Sequence, residues 1–92
     1  MNTYVVVKSA GNASVALNAS TYTALPAQLA SRVHITNTAT GAVALQVRQD
    51  DTAAAITVPA GSSMTFNGIN NASQLSLLAA SGTPTLSYRW EH

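Results

Sequence analysis

Residues Ile56 to Phe66 form two alternating apolar and polar runs of the same parity, separated by the corner Pro59-Ala60-Gly61. Alternation at period two marks a strand with one buried face, and Pro followed closely by Gly marks a turn. A three-residue loop, with Pro fixing φ at the start of a type I turn and Gly supplying the left-handed residue of a G1 bulge, sets Val58 opposite Ser62. The same register sets Ile56 opposite Met64 and Ala54 opposite Phe66. Every apolar residue of both runs then falls on one face, and Thr57, Ser63 and Thr65 fall on the other. The stretch predicts a tight bulged hairpin.

Most of the chain repeats this logic. Tyr4 to Lys8 is a β-branched run, and Gly11-Asn12 is a good two-residue turn before Ser14 to Leu17. That hairpin pairs Val6 with Leu17 and Lys8 with Val15, and leaves Val5 and Val7 on a second apolar face. Such a strand is either central in its sheet or meets another subunit. Thr21 to Leu25 reads as a short strand, and Pro26 with the alanine-rich stretch after it reads as a helical turn or a crossover between sheets. Arg32 to Asn37 and Val43 to Val47 alternate cleanly. An Ala39-Thr40-Gly41 loop between them sets Ile35 opposite Leu45 and Val33 opposite Val47. It also places His34 opposite Gln46 and Arg32 opposite Arg48 on the outer face. The arginine pair is unfavourable unless the side chains splay or an acid approaches, and Asp50 and Asp51 are the nearest acids in sequence. A last hairpin pairs Leu77 with Leu86 and Leu75 with Tyr88, after a turn-rich loop from Asn67 to Asn71.

Chain length and charge then bound the function. A chain of 92 residues is read as one domain, 1–92, burying roughly 60–65% of its unfolded surface. Its first hairpin, 1–19, is available for subunit contacts. Charged residues are 8% and the net charge is +1, too weak a field to draw nucleic acid or an anionic membrane from solution. No run approaches the roughly 18 apolar residues of a membrane span, and Met1 to Ala10 lacks the pattern of a secretory leader. Cysteine is absent, so neither a disulfide framework nor a thiolate metal cage is expected.

The reactive residue types are sparse. His34 is the only internal histidine and reads as a solvated residue of an outer strand face. Asp50 and Asp51 are adjacent, so they point apart on a strand, or cap backbone amides in a turn, in preference to forming an acid/base pair. Glu91 and His92 stand where fraying is the default. No Gly-x-Ser-x-Gly elbow accompanies the many serines, and two adjacent acids with one distant histidine do not make a metal site. Asn12, Asn18 and Asn71 each begin Asn-Ala-Ser, which in so Asn-, Ala- and Ser-rich a chain reads as chance matches in turns. Tyr88 and Trp90 share the parity of Leu86, which favours core over a sugar-stacking platform. The expectation is a protein with no catalytic, metal or cofactor-binding residues and no small-molecule substrate, that is, not an enzyme.

Four segments together carry a resemblance: Arg32 to Asn37, Val58 to Ile69, Ala72 to Leu77 and Ser87 to Glu91. They look like the strands and corners of small β-sandwich virion proteins of tailed bacteriophages. The resemblance implies a cement or decoration protein on the capsid surface, commonly a trimer, that bridges major capsid subunits and stabilises the shell. It implies no catalytic residues. The alternative is a fibre, tail or receptor-binding module that recognises a host glycan. The expected fold is all-β, a small antiparallel β-sandwich or jelly-roll-like barrel of about seven to nine short strands. The expected partner surface is Tyr4, Val5, Val7 and Lys8 on the first strand, with Arg32, His34 and Arg48 on an outer face. Its partners are the major capsid protein and copies of the chain itself.

Overall fold

The computed structural model describes residues 9–37, 43–51 and 54–92. Among these residues eight strands are formed: β1 (Ala10–Ala16), β2 (Thr23–Ala24), β3 (Arg32–Thr36), β4 (Leu45–Gln49), β5 (Ile56–Val58), β6 (Ser63–Asn67), β7 (Leu75–Ala79) and β8 (Thr85–Glu91). They make two four-stranded antiparallel sheets, one in the order β1-β8-β3-β6 and one in the order β2-β7-β4-β5. The first strand pairs with the eighth, the second with the seventh, the third with the sixth and the fourth with the fifth. This is one long hairpin rolled into two sheets, the order of a jelly roll.

Alternation fills the space between the sheets. Val33 and Ile35 of β3, Leu45 and Val47 of β4, Leu75 and Leu77 of β7, and Leu86 and Tyr88 of β8 are all buried. Each fully buried aliphatic side chain stabilises the fold by about 1.5–3 kcal/mol. The faces assigned from parity are therefore the faces observed, as are the inward Tyr88 and the partly buried Trp90 packed on the core.

The strand partners differ from expectation throughout. Val58 and Ser62 do not open a hairpin, because β5 lies beside β4 and β6 lies beside β3, in different sheets. Leu45 faces Val58 and Val47 faces Ile56, while Met64 faces Ile35 and Phe66 faces Val33. The Pro59-Ala60-Gly61 corner is an arch between sheets, closed by a 3.1 Å bond from the Ser62 N–H to the Pro59 carbonyl, with Gly61 at φ 79°. A positive φ at the third residue of a four-residue turn suits glycine. The expected pairings Ile35–Leu45 and Val33–Val47 fail for the same reason, since β3 and β4 stand in opposite sheets, and so do β7 and β8 with the pairings Leu77–Leu86 and Leu75–Tyr88. The Ala39-Thr40-Gly41 loop lies outside the described residues. Hairpins and arches both place two alternating runs with one face toward the core, so parity alone does not choose between them.

The first hairpin of the sequence is likewise replaced. Tyr4, Val5, Val7 and Lys8 lie outside the described residues, but Gly11 and Asn12 are strand residues of β1, which pairs with β8. Gly11 sits opposite Trp90, and a Cβ there would stand 2.8 Å from the indole Cζ2. Glycine is needed at this position for close approach of a ring. The segment after Pro26 proves to be a crossover with a Leu29–Asn71 bridge. A 3₁₀ turn at Ala72–Gln74 precedes β7.

One buried polar residue joins the two crossings. Asn37, fully buried, follows β3 and donates from Nδ2 to the Val43 carbonyl at 2.8 Å and the Val58 carbonyl at 3.0 Å. Its backbone N–H donates to Ser62 O at 2.8 Å, and its carbonyl accepts from Gly61 N at 2.7 Å. The approach to β4 and the β5-to-β6 arch are thus held by one residue, through its side chain and its backbone.

Candidate functional site

The strand register carries the polar residues of the first sheet to its outer face in ordered rows. Ala10, Glu91, Arg32 and Asn67 lie side by side across β1, β8, β3 and β6, and Asn12, Arg89, His34 and Thr65 form the next row. Neighbours within and between such rows are close enough for polar side chains to interact. Two of the chain's four Lys and Arg residues, one of its three acids and its internal histidine meet here.

Glu91 is the centre of the cluster. Its Oε1 accepts from Arg32 Nη1 at 3.2 Å and contacts His34 Nε2 at 3.3 Å, and its Oε2 accepts from Arg89 Nε at 3.3 Å. Arg32 Nε donates to Asn67 Oδ1 at 3.0 Å, and His34 Nδ1 bonds with the Thr65 hydroxyl at 2.9 Å. With a neutral ring protonated at Nε2, the Thr65 hydroxyl donates to Nδ1; a protonated ring donates at both nitrogens. The hydrogen bond from His34 leads the causes that hold the Glu91 carboxyl below its ordinary value; desolvation by burial opposes it, and the Arg89 hydrogen bond and the charges of His34 and Arg32 add to the lowering. Far from fraying at the chain's end, Glu91 lies in β8 between β1 and β3.

A lowered carboxyl pKa has a defined consequence for stability. Because the folded value lies below the unfolded one, the stabilisation is fully present above the unfolded value and is lost as pH falls through the folded one. The thermal midpoint of Glu91→Gln should therefore fall below that of the native chain at neutral pH and converge with it in acid. A gap between the two that stays constant across the carboxylate range would contradict this.

Of the expected partner surface, Arg32 and His34 come together, and Arg48 does not join them. Arg48 belongs to β4 in the opposite sheet, so the expected pair with Arg32 is absent. Its guanidinium stacks on the Tyr22 ring at 3.8 Å and reaches Asp51 Oδ1 at 3.5 Å. Asp51 also accepts from the Ser76 hydroxyl at 3.1 Å, and Asp50 accepts from Gln74 Nε2 at 3.2 Å. Both aspartates are turn residues with φ 57°, a conformation that Asp tolerates better than most. They pin the turn after β4 to the start of β7, through side-chain donors where backbone amides were expected.

The Asn-Ala-Ser triplets are local braces in two cases. Asn18 Oδ1 accepts from the backbone of Ser20 and Thr21, each at 2.9 Å. Asn71 Oδ1 accepts from Gln28 N and Ser73 N at 3.0 Å and from the Ser73 hydroxyl at 2.9 Å, in a capping box with Gln74. Asn12 differs, since it points outward from β1.

Beside the Glu91 cluster lies a shallow depression of about 440 Å³ lined by Asn12, Thr36, Ser87, Tyr88 and Arg89. Sequence reasoning did not single out Arg89 or Ser87, and it set Glu91 aside as a fraying end and Asn12 as a turn residue and chance triplet. The signal that could have found them is alternation within each strand, at Ser87, Arg89 and Glu91 in β8 and at Asn12 in β1, but it identifies a common face only once the strand partners are known. The arrangement offers a fixed guanidinium, amide and hydroxyl groups on an open surface, which can bind a polar group. Among the described residues no three His, Cys, Asp or Glu side chains gather where they could hold a metal ion, and no helix is long and apolar enough to cross a membrane. No family model, curated protein or solved structure matches this chain.

Proposed function

We propose that this chain acts by binding, as a structural virion protein of the decoration or cement type that sits on the capsid surface and stabilises the major capsid lattice. The observation that carries the reading is the outer face of the first sheet. On a chain with 8% charged residues, Arg32, His34, Arg89 and Glu91 form one ordered polar patch on a rigid β framework. A surface organised by cross-strand contacts suits recognition of a fixed, repeated partner surface. Jelly rolls recur in viral capsid domains, an analogy of fold that supports this reading without carrying it.

In a purified virion the protein should be present as a fixed, large fraction of the major capsid protein count, as measured by quantitative mass spectrometry. Its absence, or a few copies only, would overturn the reading. A glycan-binding fibre or tail module is the second reading, favoured by the amide and hydroxyl groups around the depression. Against it, Tyr88 and Trp90 belong to the inward-facing side of β8, away from any stacking platform. Glycan-array binding together with unchanged heat resistance of capsids lacking the protein would favour that second reading.

A further inference from the structure

The polar capacity of the outer face is not evenly used. Arg32 is engaged with both Asn67 and Glu91, and His34 has both ring nitrogens engaged, by Thr65 and Glu91. Arg89 is held through Nε alone, and its Nη1 and Nη2 make no further bond among the described residues. The Asn12 amide and the Thr36 and Ser87 hydroxyls, which line the depression beside it, make none there either. One edge of a fixed guanidinium therefore borders a concavity of unused donors.

Charge defines what fits. Arg32 and Arg89 share the single carboxylate of Glu91, so the patch carries one formal positive charge beyond what it neutralises, with the imidazole counted as neutral. A carboxylate balances that charge, and its two oxygens match the parallel donors of a guanidinium edge. A sugar finds no outward aromatic ring on this face, since Tyr88 and Trp90 lie on the core side of β8.

We infer that the depression receives an Asp or Glu side chain of a partner protein, with Arg89 as its principal contact and Asn12, Thr36 and Ser87 completing its hydrogen bonds. This names the chemistry of the partner surface and rests on the binding function proposed above. Glu91 serves as a positioning residue, because it fixes Nε and leaves the other edge of the guanidinium for the incoming group.

Two measurements on the full chain test this separately from the capsid reading. The first is an NMR titration with the capped peptide acetyl-Gly-Glu-Gly-amide, its Gln counterpart and inorganic phosphate. The Arg89 Nε–H and Asn12 side-chain amide signals should move with the Glu peptide and remain still with the Gln peptide, and the Asn12 signal should cease to respond in Arg89→Gln. Equal movement with phosphate, or with the Gln peptide, overturns the assignment to a carboxylate. The second is binding to capsid shells assembled without the protein, where Arg89→Gln should weaken binding by about tenfold or more, equivalent to about 1.4 kcal/mol. Shells that bind the native chain and Arg89→Gln alike overturn the inference and leave the capsid reading intact. Shells that bind neither, while the Glu peptide still moves the signals, support the carboxylate site and remove the capsid reading. Should Arg89→Gln lose its fold, Ser87→Asp provides the same test by setting a negative charge against the ligand.

Discussion

Asn37→Leu is expected to lower the unfolding free energy by about 3 kcal/mol, because the Val43 and Val58 carbonyls lose their side-chain donor in a buried site and each such loss costs about 1–3 kcal/mol. In a domain of this size that lowers the thermal midpoint by on the order of 10–20 °C. The leucine keeps the branching of the amide but is larger, so no cavity opens and overpacking of the fully buried site adds to the polar loss. Asn37→Asp separates polarity from shape more sharply. Its carboxylate faces the same two carbonyl oxygens in a fully buried site, so its folded pKa is raised. The destabilisation is then greatest above that value and is relieved as pH falls, a sign opposite to that of Glu91. Urea denaturation of both variants across pH 4–8 checks this. An Asn37→Leu within about 0.5 kcal/mol of the native chain would show that the amide does not hold the crossings.

The second large effect tests the strand partners directly. Ala16 of β1 faces Thr85 of β8 on the outer side of the first sheet, 69 positions apart in sequence. The flanking pair in which Leu17 N–H donates to Pro84 O makes this a non-hydrogen-bonded pair, the closer of the two antiparallel kinds. The chain has no cysteine of its own. The double variant Ala16→Cys with Thr85→Cys should therefore close a disulfide on oxidation and stabilise the fold by about 4 kcal/mol over its reduced form, in the loop-entropy account. The control is Leu78→Cys with Thr85→Cys, which a β7–β8 hairpin would place in register. In the observed fold these two residues belong to opposite sheets, and no bond should form. Mass spectrometry of oxidised protein and its thermal midpoint with and without reductant read both results. Closure of the control pair would restore the hairpin and sink the jelly-roll order.

Inward and outward faces were legible in the sequence because they depend on side-chain chemistry at period two. Val33, Ile35, Leu45, Val47, Leu75, Leu77, Leu86 and Tyr88 all carry that signal in their own parity and are all buried. Strand partners were not legible, because an arch and a hairpin demand the same parity and differ only in where the second strand goes. A short connection with Gly at its end satisfies either. The case of Asn37 is sharper still. Its neighbours show an amide at the end of an alternating run, while the carbonyls it serves lie 6 and 21 positions away. The candidate site was half legible on the same ground: Arg32 and His34 share an outer face by parity, but the acid between them lies at Glu91, 59 positions from Arg32. Proximity in sequence nominated Asp50 and Asp51 instead, and only Arg48 reaches one of them.

The pairing of β1 with β8 also sets the order of events when the chain is made. Ala10 meets Glu91 across 81 positions, and β8 is the strand between β1 and β3. At roughly 5–20 residues per second of translation, β1 waits about 4–15 s for its neighbour. Sheets built from such distant pairs also close slowly, in milliseconds to seconds. β8, one of the two inner strands of the first sheet, is thus the last of the described strands to leave the ribosome, and the Glu91 cluster cannot assemble before it does. A chain without β8 lacks Arg89 and Glu91 and so has no patch to present, and the binding proposed for that face would require the completed fold.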